Sequence, residues 1–151
     1  MNRLWIAPAL VAILAAGCVM PRIIIPEDPL AAEEHLNLGV AYERKGELDL
    51  AIREYELAAK KTGKAYLYLG NVYFQKKELD RAEESYRKAI REIPREADAY
   101  NNLAWVYFVR GKNLDEAEKL ALKAIELNPS GSETYTDTLE KIRRLKNKSN
   151  P

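Results

Sequence analysis

The chain repeats itself, and that repeat leaves little freedom of fold. Three segments read Leu48-Asp49-Leu50-Ala51, Leu79-Asp80-Arg81-Ala82 and Leu114-Asp115-Glu116-Ala117. Ahead of each stands a second shared pattern: Leu38-Gly39-Val40-Ala41-Tyr42, Leu69-Gly70-Asn71-Val72-Tyr73 and Leu103-Ala104-Trp105-Val106-Tyr107. Ala58, Ala89 and Ala124 follow at a fixed distance, and then Gly63, Pro94 and Pro129. The unit length is 31 residues from Gly39 to Gly70 and 34 from Gly70 to Ala104. A period in this range marks stacked supersecondary units, none of which can bury its apolar side alone. Leu and Ala recur at the i, i+3, i+4 spacing of a buried helical stripe. Gly39, Gly70 and Ala104 are small where the two helices of a hairpin must approach closely, and Ala51, Ala82 and Ala117 do the same from the other side. Tyr42, Tyr73 and Tyr107 then fill the gap between hairpins. Gly46 and Gly111 suit tight turns, because glycine tolerates positive φ. Pro94 and Pro129 stop the second helices.

These signals predict helices over about 32–45, 48–61, 63–76, 79–92, 97–110 and 114–127. A seventh, over about 133–148, follows the Ser130-Gly131-Ser132 break, with Ser132 as its N-cap and Tyr135, Leu139 and Ile142 facing inward. The pattern Leu-Gly-x-x-Tyr in the first helix and Ala-x-x-x-aromatic-x-x-Ala in the second resembles the tetratricopeptide repeat. The resemblance covers about residues 32 to 129. It implies an all-α fold: a right-handed α-solenoid of three helix-turn-helix units (about 32–62, 63–96 and 97–131) plus a C-terminal capping helix, 133–148. The first unit is three residues short near Gly63, and the third has an extra residue expected in its turn, Gly111-Lys112-Asn113. Ala121 replaces the aromatic held by Tyr55 and Tyr86.

In this family the first helices line a concave groove that binds other proteins. The resemblance points to Leu36, Val40 and Glu43 from the first repeat, Leu67, Asn71 and Phe74 from the second, and Asn101, Trp105 and Phe108 from the third. Large aromatics in a groove are typical binding anchors, and Asn71, Asn101 and Asn102 suit hydrogen bonding to an extended peptide. Trp105 and Phe108 are either groove surface or covered by the final helix. Some members of the family grip a carboxylate terminus with Lys, Asn and Arg. Asn71 and Asn102 match that set, whereas Leu67, Glu133 and Asp137 stand where it needs the other residues.

The first thirty residues read as an address. Arg3 precedes an uncharged stretch, Leu4 to Ala16, and then the small residues Ala15-Ala16-Gly17. This is the layout of a secretory signal, and the apolar stretch is shorter than the ~20 residues of a bilayer span. Ala15-Ala16-Gly17-Cys18 resembles the lipobox of bacterial lipoproteins. It implies a signal peptide over 1–17, cleavage before Cys18 and acylation (palmitate and related chains) at that sulfur. The alternative is a plain signal peptide or an uncleaved anchor with an incidental cysteine. Val19 after the cysteine implies the outer membrane, facing the periplasm, in a host with two membranes. Pro21, Pro26 and Pro29 make residues 18–31 an extended linker. Its Ile23-Ile24-Ile25 run packs on the first helix or lies near the lipid surface or a partner strand.

Composition narrows the function. One Cys and one His exclude an internal disulfide, a Cys-based zinc site and a histidine cluster. A formal net charge of +1 gives no basic footprint for nucleic acid. His35 reads as a partly buried helix residue, and Ser85 has no base pattern beside it. The expectation is therefore a non-catalytic, membrane-anchored adaptor for protein partners, with no metal and no cofactor beyond lipid on Cys18. The alternatives are a pilotin-like assembly factor for a secretion or pilus complex, and an accessory to an envelope protease or polysaccharide machine.

Overall fold

The computed structural model describes residues 30–149, with the side chains of Ser132 and Ser149 excepted. The signal peptide, Cys18, the isoleucine run and the Ser132 cap all lie outside what is described. The described chain forms helices α1 (Ala32–Arg44), α2 (Leu48–Ala59), α3 (Lys64–Gln75), α4 (Leu79–Glu92), α5 (Ala97–Arg110), α6 (Leu114–Leu127) and α7 (Ser132–Ser149). A 3-10 turn, Pro129–Gly131, leads into α7. Pairs α1–α2, α3–α4 and α5–α6 are antiparallel hairpins; they stack in chain order, and α7 packs on α5 and α6. The fold is an all-α solenoid, and among the described residues there is no strand.

The close approach inside each hairpin is made by a ring lying on a missing side chain. A β-carbon added at Gly39 would meet Cε1 of Tyr55 at 2.2 Å, and one at Gly70 would meet Cε1 of Tyr86 at 2.4 Å. Both tyrosines are buried. In the third hairpin the two partners change together, to Ala104 and Ala121, both with no exposed surface. The methyl added on α5 replaces part of the ring removed from α6. Ala51, Ala82 and Ala117 are also fully buried, so each hairpin closes on small residues from both helices.

Between hairpins the first-helix tyrosines fill the seam. The Tyr73 hydroxyl donates to Glu56 of α2 at 3.4 Å and accepts from Arg81 at 2.8 Å, with the Arg81 guanidinium 4.1 Å from its ring centre. Tyr107 donates to Glu83 of α4 at 3.2 Å and accepts from Arg87 at 2.6 Å. A ladder of ion pairs runs along one edge of the stack. Asp49, Asp80 and Asp115 open the second helices, and each receives a cation from the next hairpin or cap: Lys76 at 2.5 Å, Arg110, and Lys146 at 2.5 Å. Anions suit a helix N-terminus and cations a C-terminus, so each pair also complements two helix dipoles.

The first repeat is three residues short between Gly39 and Gly70: α2 has 12 residues where α4 has 14, and Gly70 is the seventh residue of α3 where Ala104 is the eighth of α5. Gly63 is needed there for space, not conformation: its φ is −65°, but an added β-carbon would meet that of Glu92 at 2.4 Å. The extra residue of the third repeat lies in its turn, as expected. In all three hairpins the left-handed residue comes four after the first-helix tyrosine, at Gly46, Lys77 and Gly111, and the next N–H donates to that tyrosine's carbonyl. One residue then precedes α2 and α4, but two, Lys112 and Asn113, precede α6. Gly46 and Gly111 have φ of +78° and +62° as the turns require, but Lys77 takes the same left-handed region at +61° with a full side chain.

The cap closes the stack as expected in place and polarity. Tyr135, Leu139 and Ile142 are buried. Glu118 of α6 accepts from Arg143 at 2.7 Å and Lys146 at 3.0 Å. Hydrogen bonding to Arg143, then to Lys146, holds its carboxyl below the usual carboxylate range.

Two outcomes follow for stability. Gly70→Ala forces the Tyr86 ring and its helix apart, and overpacking of this kind costs about 1–3 kcal/mol in urea unfolding. Glu118→Gln destabilises at neutral pH by about 1 kcal/mol or less, as for a partly exposed network. A lowered folded-state pKa means this stabilisation is present above the unfolded carboxyl value and is lost as pH falls through the folded one. The Glu118→Gln and native melting curves therefore converge on acidification.

Candidate functional site: a concave cleft floored by second-helix tyrosines

The groove is built from beneath. Because Gly39 and Gly70 admit the tyrosine rings, the hydroxyls pass under the first helices and emerge on the concave side. Tyr55 donates to Glu43 Oε2 at 2.9 Å, and Tyr86 donates to Asn71 Oδ1 at 2.9 Å. Burial, first of all, raises both phenol pKa values, reinforced at Tyr55 by Glu43. Both hydroxyls therefore stay protonated and act as fixed donors. Gln75 adds a short hydrogen bond to the other oxygen of Glu43. Asn102 Nδ2 donates to Asn71 Oδ1 at 3.0 Å, and Asn101 Nδ2 to Asn102 Oδ1 at 3.4 Å. With its oxygen engaged twice, Asn71 keeps its amide N–H group toward the cleft.

Glu43, Asn71, Phe74, Gln75, Tyr86, Asn102 and Trp105 line a cleft of about 320 Å³. Five residues expected from the sequence meet there: Glu43, Asn71, Phe74, Asn102 and Trp105. Leu67 and Asn101 do not line it; they are 9% and 7% exposed and lie in the layer below. Asn101 Oδ1 is buried without a hydrogen-bond partner. Leu36 is likewise buried, and Phe108 packs half-buried against the core. The reason is shared: these positions face the next hairpin as well as the groove, and packing takes them. From the final helix, Lys141 places its Nζ 5.1 Å from the Trp105 ring centre. Trp105 itself stays half-buried, its ring 4.8 Å from that of Phe108.

Tyr86 and Gln75 were not foreseen as cleft residues. Tyr86 was legible in part, since it faces Gly70 in the repeat pattern, but the emergence of its hydroxyl on the far side of the first helix is a matter of three-dimensional reach. Gln75 carries no pattern signal beyond its place beside Phe74. The asparagine pair is assembled as the resemblance implied. The remaining positions of that set carry no free cation: Leu67 is in the core, Glu133 is exposed, and Asp137 accepts from Lys141 at 2.6 Å.

The polar groups elsewhere are structural. His35 is 2% exposed, and its Nδ1 lies 2.7 Å from Glu54. Ser85 Oγ donates to the Arg81 carbonyl one turn back, at 2.8 Å. Among the described residues, no three His, Cys, Asp or Glu side chains are grouped to hold a metal ion, and no helix is long and apolar enough to cross a membrane.

The fold and site thus define a class: stacked helical hairpins presenting a polar and aromatic inner wall. The tetratricopeptide repeat profile matches residues 7–66, 61–95 and 69–132, and the chain belongs to that family. No curated protein matches it. Solved structures do. The first tetratricopeptide domain of Spaghetti (RPAP3), bound to the HSP90 peptide SRMEEVD, is 25% identical, with a TM-score of 0.70 over 78% of this chain and 94% of that one. The Sgt2 domain of Aspergillus fumigatus is 20% identical, with a TM-score of 0.73 over 79% and 81%. The TPR2B domain of yeast Sti1, in complex with pHsp70, is 17% identical, with a TM-score of 0.70 over 75% and 96%.

Tyr86→Phe removes the donor that pins Asn71 while keeping the buried ring. The expected cost in unfolding free energy is about 1 kcal/mol, that of one hydrogen bond. Hydrogen–deuterium exchange should localise the change to α3 and α5 rather than to the whole stack.

Proposed function

We propose that this protein is a non-catalytic adaptor, tethered to the cell envelope through lipid on Cys18, that holds a partner protein by an extended segment in its concave cleft. The observation that carries the binding reading is the cleft's make-up. Phe74 and Trp105, each one helical turn on from Asn71 and Asn102, offer apolar anchors beside a fixed asparagine pair, which suits a peptide backbone. Large, partly exposed aromatics beside oriented amides are what protein-binding hot spots are made of. The related RPAP3 domains with bound HSP90 and HSP70 peptides use the same fold for peptide capture. Here the cleft has Glu43 on one wall and no unpaired lysine or arginine beside the asparagines. It therefore favours an internal segment over a carboxylate terminus.

The anchoring reading rests on Ala15-Ala16-Gly17-Cys18 and the apolar stretch before it. Each buried acyl methylene contributes ~0.8 kcal/mol, and durable attachment takes more than one chain. An outer-membrane position facing the periplasm follows from Val19 in a host with two membranes. A pilotin-like role uses the same cleft and the same tether, with the partner a subunit of an envelope complex.

Both parts have a direct check. Phe74→Ala combined with Trp105→Ala should reduce recovery of the partner in pull-downs from solubilised membranes at least tenfold while leaving the helical circular dichroism unchanged. Unchanged recovery removes the cleft from the reading. Cys18→Ser should abolish labelling by radioactive palmitate and move the protein from the membrane to the soluble fraction.

A further inference from the structure

The first hairpin differs from the other two on the side that faces backward along the stack. Leu38, Leu69 and Leu103 hold the same repeat position, yet Leu69 and Leu103 are 5% and 2% exposed while Leu38 is 40% exposed. Tyr42 is half-buried where Tyr73 and Tyr107 are buried. In the inner repeats the preceding second helix supplies the cover; among the described residues no helix precedes α1.

The residues of this face are chosen accordingly. The position of Leu50 is held by Arg81 and Glu116 in the other repeats, and that of Leu57 by Lys88 and Lys123. Arg81 lies on the Tyr73 ring, so its counterpart Leu50 stands beside Tyr42. Leu50 is 42% exposed. Where the inner repeats place charges, the first hairpin thus carries a leucine pair next to Leu38 and Tyr42, an apolar surface that water disfavours.

The chain itself supplies a cover within reach. The Leu30 carbonyl accepts from Lys61 Nζ at 2.6 Å, so the backbone arrives at α1 beside the C-terminal end of α2. Leu57 and Leu50 lie four and eleven residues back along α2 from Lys61, or ~6 and ~16 Å at helical rise. Upstream of Leu30, an extended chain covers ~3.4 Å per residue, which places Ile25 at ~17 Å and Ile23 at ~24 Å. Pro26 and Pro29 favour that extended form. The family match also runs back through this segment, ahead of α1.

We propose that Ile23-Ile24-Ile25 docks back on the open face formed by Leu38, Tyr42, Leu50 and Leu57, in the place that a preceding repeat's second helix would take. The docking does not depend on acylation. Where Cys18 carries lipid, it leaves a tether of only four residues, Val19 to Arg22, and holds the first hairpin toward the bilayer.

The test uses the full chain carrying Cys18→Ser, produced without export and treated with a short bismaleimide. Ile24→Cys paired with Leu50→Cys should give an intrachain cross-link. Ile24→Cys paired with Leu122→Cys, an exposed site at the other end of the stack, should give none. Equal cross-linking at both sites, or none at either, overturns the proposal. Interchain products assign the face to a second copy and overturn it as well. Independently, replacing Ile23, Ile24 and Ile25 by serine should speed maleimide labelling of Leu50→Cys about tenfold or more, with the melting of the stack retained. An unchanged labelling rate counts against docking.

Discussion

Everything in this solenoid depends on the contact between a tyrosine ring and the bare backbone of the facing helix. Gly39 and Gly70 bring α1 to α2, and α3 to α4, closer than any side chain would allow. That approach does two things at once. It buries the small-residue faces of both helices, and it lets a polar atom from the rear helix reach the front. The hydroxyls of Tyr55 and Tyr86 hold Glu43 and Asn71 in place. Packing and site geometry are one interaction seen from opposite sides of the first helix.

The third hairpin shows what happens when that contact is replaced. With Ala104 against Ala121, no second-helix hydroxyl reaches the groove, and the cleft wall at this point is Trp105, its ring tilted against that of Phe108 behind it. The cleft accordingly has a polar half, fixed from below, and an aromatic half, fixed from the side by Phe108 and the ammonium of Lys141.

The helices were legible in the sequence because two signals agreed: the apolar stripe at helical spacing, and Gly, Ala and Pro at repeat-fixed places. All six repeat helices end within two residues of expectation at both ends, and α7 starts one residue early and ends one late. The extra residue of the third repeat falls in the turn that its glycine marks, where Asn113 takes it up at a left-handed φ of +52°. The left-handed Lys77 left no mark in composition, since lysine is a poor sign of positive φ. In the cleft, Glu43, Asn71, Phe74, Asn102 and Trp105 were readable by alignment of repeats. Leu67 and Asn101 share that alignment but are taken by packing between hairpins. Tyr86 and Gln75 enter through side-chain length and hydrogen bonding, which no spacing rule encodes.

The edge ladder of Asp49 with Lys76, Asp80 with Arg110, and Asp115 with Lys146 joins every unit to its successor by the same pair of roles. A hairpin removed from the middle would leave an aspartate facing a cation of the right sign, and a hairpin duplicated would find both partners waiting. The chain is therefore built to change in length by whole units, with its groove growing or shrinking one first helix at a time.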